Sequence, residues 1–113
     1  MPQYLYQMAY TAESLAAQIR EPRDRLETAA RPVLEAVGGT LLGGGCSFGE
    51  YDVVLLFEVA DDETAAAVAA AVGAGGTIKA AQTTKLLSGD QWISALGKAG
   101  AVAKAYKLSL IHI

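Results

Sequence analysis

The residues best able to do chemistry sit in one short stretch, Gly49-Glu50-Tyr51-Asp52, between the small run Gly43-Gly44-Gly45-Cys46 and the apolar run Val53–Phe57. A carboxylate beside an apolar run can have its pKa raised toward neutrality, where it serves as an acid or a base. Aspartate is also unfavourable within a strand. On this reading Asp52 is an acid, base or ligand anchor at the mouth of a pocket, with Tyr51 beside it. Tyr6 and Phe48 complete the set of ligand-facing candidates. The structural reading of the same residues is a hairpin corner. Gly49 then supplies a turn with positive φ, Tyr51 packs at the start of a strand, and Asp52 accepts backbone hydrogen bonds from a neighbouring loop.

Other chemistry is sparse. Cys46 is the single cysteine and His112 the single histidine. A zinc site built on Cys and His is therefore disfavoured, as is a Ser-His-Asp triad unless His112 folds back into the domain. Haem bound through histidine would depend on His112 alone. No cofactor motif is present. Gly43-Gly44-Gly45 lacks the Gly-Lys-Ser/Thr of a phosphate loop and leads into a strand, so it marks a bulge or a close approach of another backbone. Cys46 reads as a small buried hydrophobe. Arg20, Arg23, Arg25 and Arg31 interleave with Glu21, Asp24 and Glu27, which describes a charge-balanced solvated face. Glu58 and Lys85 are expected at a sheet rim or as a paired charge.

The totals narrow the class. The chain has 113 residues, 52% hydrophobic and 19% charged, which fits one globular domain. A net charge of −3 with scattered basic residues argues against nucleic acid as a partner. No apolar run reaches the roughly 18–20 residues of a membrane span. The N-terminus lacks a basic region followed by an apolar one, so no secretory signal is read. A lone cysteine fits a reducing cytoplasm.

The elements that must position the candidates follow from periodicity. In residues 3–10, Tyr4, Tyr6, Met8 and Tyr10 alternate with Leu5, Gln7 and Ala9, which is the period of a strand. The tyrosine stripe reads as core or dimer interface, or as the lining of a ligand cavity. Thr11 caps a helix with Glu13 in its first turn. Leu26, Ala30, Val33, Leu34 and Val37 recur at helical spacing, and Pro32 predicts a kink or a restart. Gly38-Gly39 ends that helix. Residues 40–48 form a glycine-rich second strand, and 51–59 a third that is apolar on both faces and therefore central. Asp61 begins a helix that closes at Gly73–Gly76, and residues 77–87 form a fourth strand. Ser88 and Gln91 make a capping box. It opens a last helix with Trp92, Leu96, Ala99 and Ala103 on one stripe, Trp92 anchoring it to the domain.

This order, β-α-β-β-α-β plus a C-terminal helix, predicts an α+β, ferredoxin-like fold: a four-stranded antiparallel sheet with helices on one face. The other face carries Val and Leu from the third strand, and an apolar face of that size is rarely left bare. A homodimer packed sheet to sheet, or an oligomer built from such dimers, is the expected assembly. The domain covers residues 1–103. The tail, 104–113, reads as an extra strand or an expression remnant.

Three segments carry a resemblance: "MPQYLYQMAYTAES" at the start, "GEYDVVLLFEVADDETAAAVAAAV" in the middle and "TTKLLSGDQW" near the end. Together they resemble the GYD domain family, whose Gly-x-Tyr-Asp signature falls on Gly49, Tyr51 and Asp52. The likeness covers about residues 2–100. It implies a small bacterial protein of the dimeric α/β-barrel type, and little about chemistry. The run Gly43–Cys46 looks small for this place in the family, which implies local space.

Two functions fit. One is a homo-oligomeric binding or accessory protein without a catalytic constellation. The other is a cofactor-independent enzyme, monooxygenase- or isomerase-like, holding a small apolar or aromatic ligand between sheet and helices, with Asp52 as acid/base beside Tyr51 and Tyr6. A pocket of about 300 Å³ or more with Asp52 or a tyrosine hydroxyl turned into it would favour the enzyme. A filled interior with Asp52 bonded only to backbone amides would favour the binding protein.

Overall fold

The computed structural model describes residues 1–106. Its element order is β1 (Gln3–Tyr10), α1 (Ala12–Arg20), a π-helical turn (Leu26–Ala30) running into α2 (Arg31–Ala36), β2 (Thr40–Cys46), β3 (Val53–Glu58), α3 (Asp62–Ala74), β4 (Ile78–Leu86) and α4 (Gly89–Tyr106). The four strands form one antiparallel sheet in the order β2-β3-β1-β4, so β3 and β1 are the inner strands.

Local chemistry explains most boundaries. Thr11 Oγ1 accepts from Ser14 N at 3.1 Å and starts α1. Asp61 Oδ1 does the same for α3, accepting from Thr64 Oγ1 at 2.7 Å and from Thr64 N at 2.8 Å, and these bonds hold its carboxyl below the usual range. The box at α4 is reciprocal: Gln91 N donates to Ser88 Oγ at 3.1 Å, and Ser88 N to Gln91 Oε1 at 2.8 Å. At Pro32 the helix does restart, because the π-turn gives way to α2 with the proline in its first turn. The glycine run carries the expected bulge, between Leu41 and Gly43. Gly44 has φ +152, and a Cβ there would lie 2.5 Å from the Val54 carbonyl oxygen, so no other residue fits.

The core lies on one face of the sheet. Tyr4, Tyr6, Met8 and Tyr10 of β1 and Val53, Leu55 and Phe57 of β3 meet Leu34 of α2 and Ala65 and Val68 of α3. Tyr4 stacks on Phe57 with ring centroids 5.6 Å apart. The tyrosine stripe therefore faces helices rather than a dimer partner. On the opposite face Leu5, Gln7, Val54, Leu56 and Glu58 remain half-buried with no helix above them among the described residues, and Leu42 is exposed.

Several expectations change. β2 stops at Cys46 and β3 begins at Val53, two residues inside the expected limits at each inner end, because the chain turns through Ser47–Asp52. Gly49 is not among the positive-φ glycines, which are Gly38, Gly44 and Gly76. Cys46 is exposed rather than buried, since its strand ends there. Trp92 does not anchor α4 and is 57% exposed. The whole of α4 has no buried residue, and Ile93, Leu96, Val102 and Tyr106 are also exposed. The described residues span 60 Å with a radius of gyration of 18.4 Å, against about 13 Å for a compact domain of this length. The helix, about 27 Å long by its rise, stands away from the sheet. Residues 104–106 continue α4. The remainder of the tail, with its expected extra strand and His112, lies outside the described residues.

Candidate functional site

The helix-covered face of the sheet encloses a cavity of about 90 Å³. Its floor is Tyr6, Met8, Tyr10, Val53, Leu55 and Phe57. The roof is Leu26, Ala30, Val33 and Leu34 from the π-turn and α2, with Val68 and Val72 from α3. The floor follows from strand period: alternate residues of β1 and β3 share one face, in register Tyr6 with Leu55 and Met8 with Val53. The roof follows from helical spacing at Leu26, Ala30, Val33 and Leu34, the set visible in sequence. Arg25, Cys46 and Thr77 also line the cavity, and their exposure puts them at its mouth. The small run expected to leave space ends at this mouth, in Cys46.

The tyrosines differ in what they bond. Tyr4 Oη donates to Asp62 Oδ1 at 2.6 Å, and Lys85 Nζ lies 2.8 Å from that same oxygen. The hydrogen bond to Asp62, then burial and the acidic neighbours, push the Tyr4 phenol up to about 12. Lys85 and Tyr4 together hold the Asp62 carboxyl below its usual range. Tyr6 is 2% exposed. Its hydroxyl is fully shielded and has no hydrogen-bond partner among the described residues. Burial alone raises its pKa, so Tyr6 is a neutral phenol at any physiological pH. Tyr10 is raised by burial, with Arg25 opposing. The Arg25 guanidinium stands 5.6 Å from the Tyr10 ring centroid.

The signature corner lies elsewhere. Asp52 Oδ2 accepts from Tyr10 N at 2.8 Å. Asp52 N donates to Met8 O at 2.7 Å, and Ser47 N donates to Asp52 O at 2.8 Å. Two of these bonds tie the β2–β3 turn to the end of β1, and the third closes the turn on itself. Asp52 does not line the cavity. Tyr51 Oη donates to Gln82 Oε1 at 3.1 Å. Gln82 is in register with Gln7, which alternates with Tyr6, so Tyr51 reaches over the open face. Phe48 is fully exposed on the turn. Of the four candidates, only Tyr6 lines the cavity.

Sequence reasoning missed Arg25, Thr77 and Cys46 as mouth residues. Arg25 falls within the charged cluster, in which Arg23 pairs with Glu21 and Arg31 with Glu27. The signal for Arg25 was its position just before Leu26, the first apolar residue of the roof. Among the described residues no group of three His, Cys, Asp or Glu side chains could hold a metal ion, and no helix is long and apolar enough to cross a membrane.

The family model described as GYD domain matches residues 4–96. That span contains the four strands except Gln3, the cavity and the corner Gly49–Asp52. No curated protein matches the chain.

Proposed function

We propose that this chain, which belongs to the GYD domain family, is a homodimeric binding or accessory module that holds a small molecule in its sheet–helix cavity. The observation that carries the reading is the contrast in polar groups. The Asp52 carboxylate is taken up by the Tyr10 backbone amide, whereas Tyr6 lines an apolar cavity and its shielded hydroxyl has no partner among the described residues. Binding needs an apolar wall and a few polar groups to orient the ligand. Acid–base catalysis needs a titratable group within reach of the substrate, and Asp52 is outside the cavity. At about 90 Å³ the cavity is also well below the 300 Å³ set as the mark of an enzyme pocket.

The strand order β2-β3-β1-β4 with helices packed on one face supports a ferredoxin-like domain of the dimeric α/β-barrel type. Two uncovered apolar surfaces support self-association: the sheet face bearing Leu5, Val54 and Leu56, and the exposed stripe of α4. In this reading the sheets of two copies pack face to face. The single unpaired cysteine supports a reducing, cytoplasmic setting. Light scattering at micromolar concentration tests the dimer. The expected mass is twice the 11.7 kDa of one chain, and Leu56→Glu, which sets a charge in the centre of the open face, is expected to halve it. A monomeric wild-type chain would refute the dimer.

A further inference from the structure

Arg25 stands where two spaces meet. It lines the apolar cavity, and it also lines an open groove of about 390 Å³ with Thr11, Ser14, Gln18 and Gly76. Thr77 is the other residue common to both. The guanidinium carbon lies 5.6 Å from the centroid of the Tyr10 ring, and that ring is part of the cavity floor. Among the described residues the basic side chains held in ion pairs are Arg23, Arg31 and Lys85. Arg25 is half-buried and belongs to none of these pairs. A guanidinium carries five N–H donors, and contact with one ring face does not occupy them.

The two spaces define what such a cation would hold. An anion at the mouth keeps its access to water and avoids the desolvation cost of an apolar interior. Glu13 and Glu21 line the same groove, which favours a single negative charge over a dianion such as phosphate. Inward of Arg25 the wall is apolar, with Leu26, Ala30 and Val33 overhead. Apolar cavities of roughly 150 Å³ admit the six carbons of benzene, so the 90 Å³ here has room for about three carbons.

We propose that Arg25 binds the carboxylate of a short-chain aliphatic monocarboxylic acid at the mouth, with a chain of about three carbons entering the cavity. The proposal rests on reading the cavity as the binding site and adds the ligand's chemical class. The charge stays at the half-exposed rim, and the chain lies against Tyr10, Leu26 and Ala30.

The test titrates the full chain with four probes: butyrate, its uncharged amide butyramide, the shorter acetate, and the cation butylamine. Binding is followed by NMR at the methyl groups of Leu26 and Val33. Butyrate is expected to bind about tenfold more tightly than butyramide, the worth of a charge-assisted hydrogen bond at a half-exposed site. It is also expected to bind about tenfold more tightly than acetate, which lacks two of its carbons. Arg25→Gln should erase the preference for butyrate over butyramide while butyramide still binds, which shows that the cavity is intact. Arg23→Gln should leave the preference unchanged. Equal binding of butyrate and butyramide, or tighter binding of butylamine, overturns the ligand class and leaves the cavity as a binding site. Acetate binding as tightly as butyrate takes the chain out of the cavity and overturns the proposal. No response to any of the four overturns the class and the cavity reading together.

Discussion

Two neighbouring positions on one face of strand β1, Tyr4 and Tyr6, place the same side chain in two situations. At Tyr4 the phenol closes a small network with Asp62 and Lys85 and so ties β1 and β4 to the start of α3. At Tyr6, one full strand repeat further on, the phenol is as deeply buried and bonds nothing among the described residues. Burial and residue type are equal, so they do not separate the two roles. What separates them is whether the fold itself supplies the hydrogen bond. Asp52 belongs with Tyr4 by this criterion, since its carboxylate holds a backbone amide of β1.

The contrast breaks most readily at Asp52. Asp52→Ala leaves Tyr10 N without its acceptor and frees the β2–β3 turn, and is expected to destabilise the fold by about 2 kcal/mol, read from denaturant midpoints. Asp52→Asn retains an acceptor oxygen and should cost about half as much. A stability unchanged by Asp52→Ala would mean that the corner is not structural. The next test pairs the tyrosines. Tyr6→Phe removes a hydroxyl that has no partner, so the free protein should be unchanged or up to about 1 kcal/mol more stable. Tyr4→Phe should lower the midpoint, because it withdraws a donor from Asp62.

Tyr4 also predicts an alkaline dependence. Its pKa is raised to about 12 in the folded chain, above the usual value near 10. The folded state therefore holds the proton more tightly than the unfolded state. That stabilisation is fully present below pH 10 and is lost as pH rises from about 10 through about 12. Unfolding midpoints measured across this window should fall less steeply in Tyr4→Phe than in the wild-type chain. The smallest effect belongs to Tyr51→Phe. Its hydroxyl meets Gln82 in an exposed setting, so the change should stay within about 0.5 kcal/mol.

Much of this architecture could be read along the chain because local rules govern it. The period of Tyr4, Tyr6, Met8 and Tyr10 marks β1. Thr11, Ser88 and Gln91 mark helix starts, and Pro32 the restart of a helix. Gly44 shows where backbones approach too closely for a side chain. What could not be read depends on contacts distant in sequence. Asp52 meets Tyr10 across 42 residues, and nothing near Asp52 distinguishes that amide from a cavity. Tyr51 was paired with Asp52 as a neighbour in sequence, yet it reaches over the opposite face of the sheet. The stripe of α4 is apolar whether or not the helix docks on its own domain, so periodicity promised an anchor at Trp92 that the fold does not provide. The unpartnered state of Tyr6 is a property of everything around it and leaves no mark at position 6.

Thermal unfolding of the wild-type chain, Tyr4→Phe and Tyr6→Phe tests the central claim most directly. The account predicts that Tyr6→Phe is at least as stable as wild type, because its hydroxyl has no partner among the described residues, and that Tyr4→Phe is less stable. A Tyr6→Phe chain that loses as much stability as Tyr4→Phe would make the Tyr6 hydroxyl a structural group, and would contradict it.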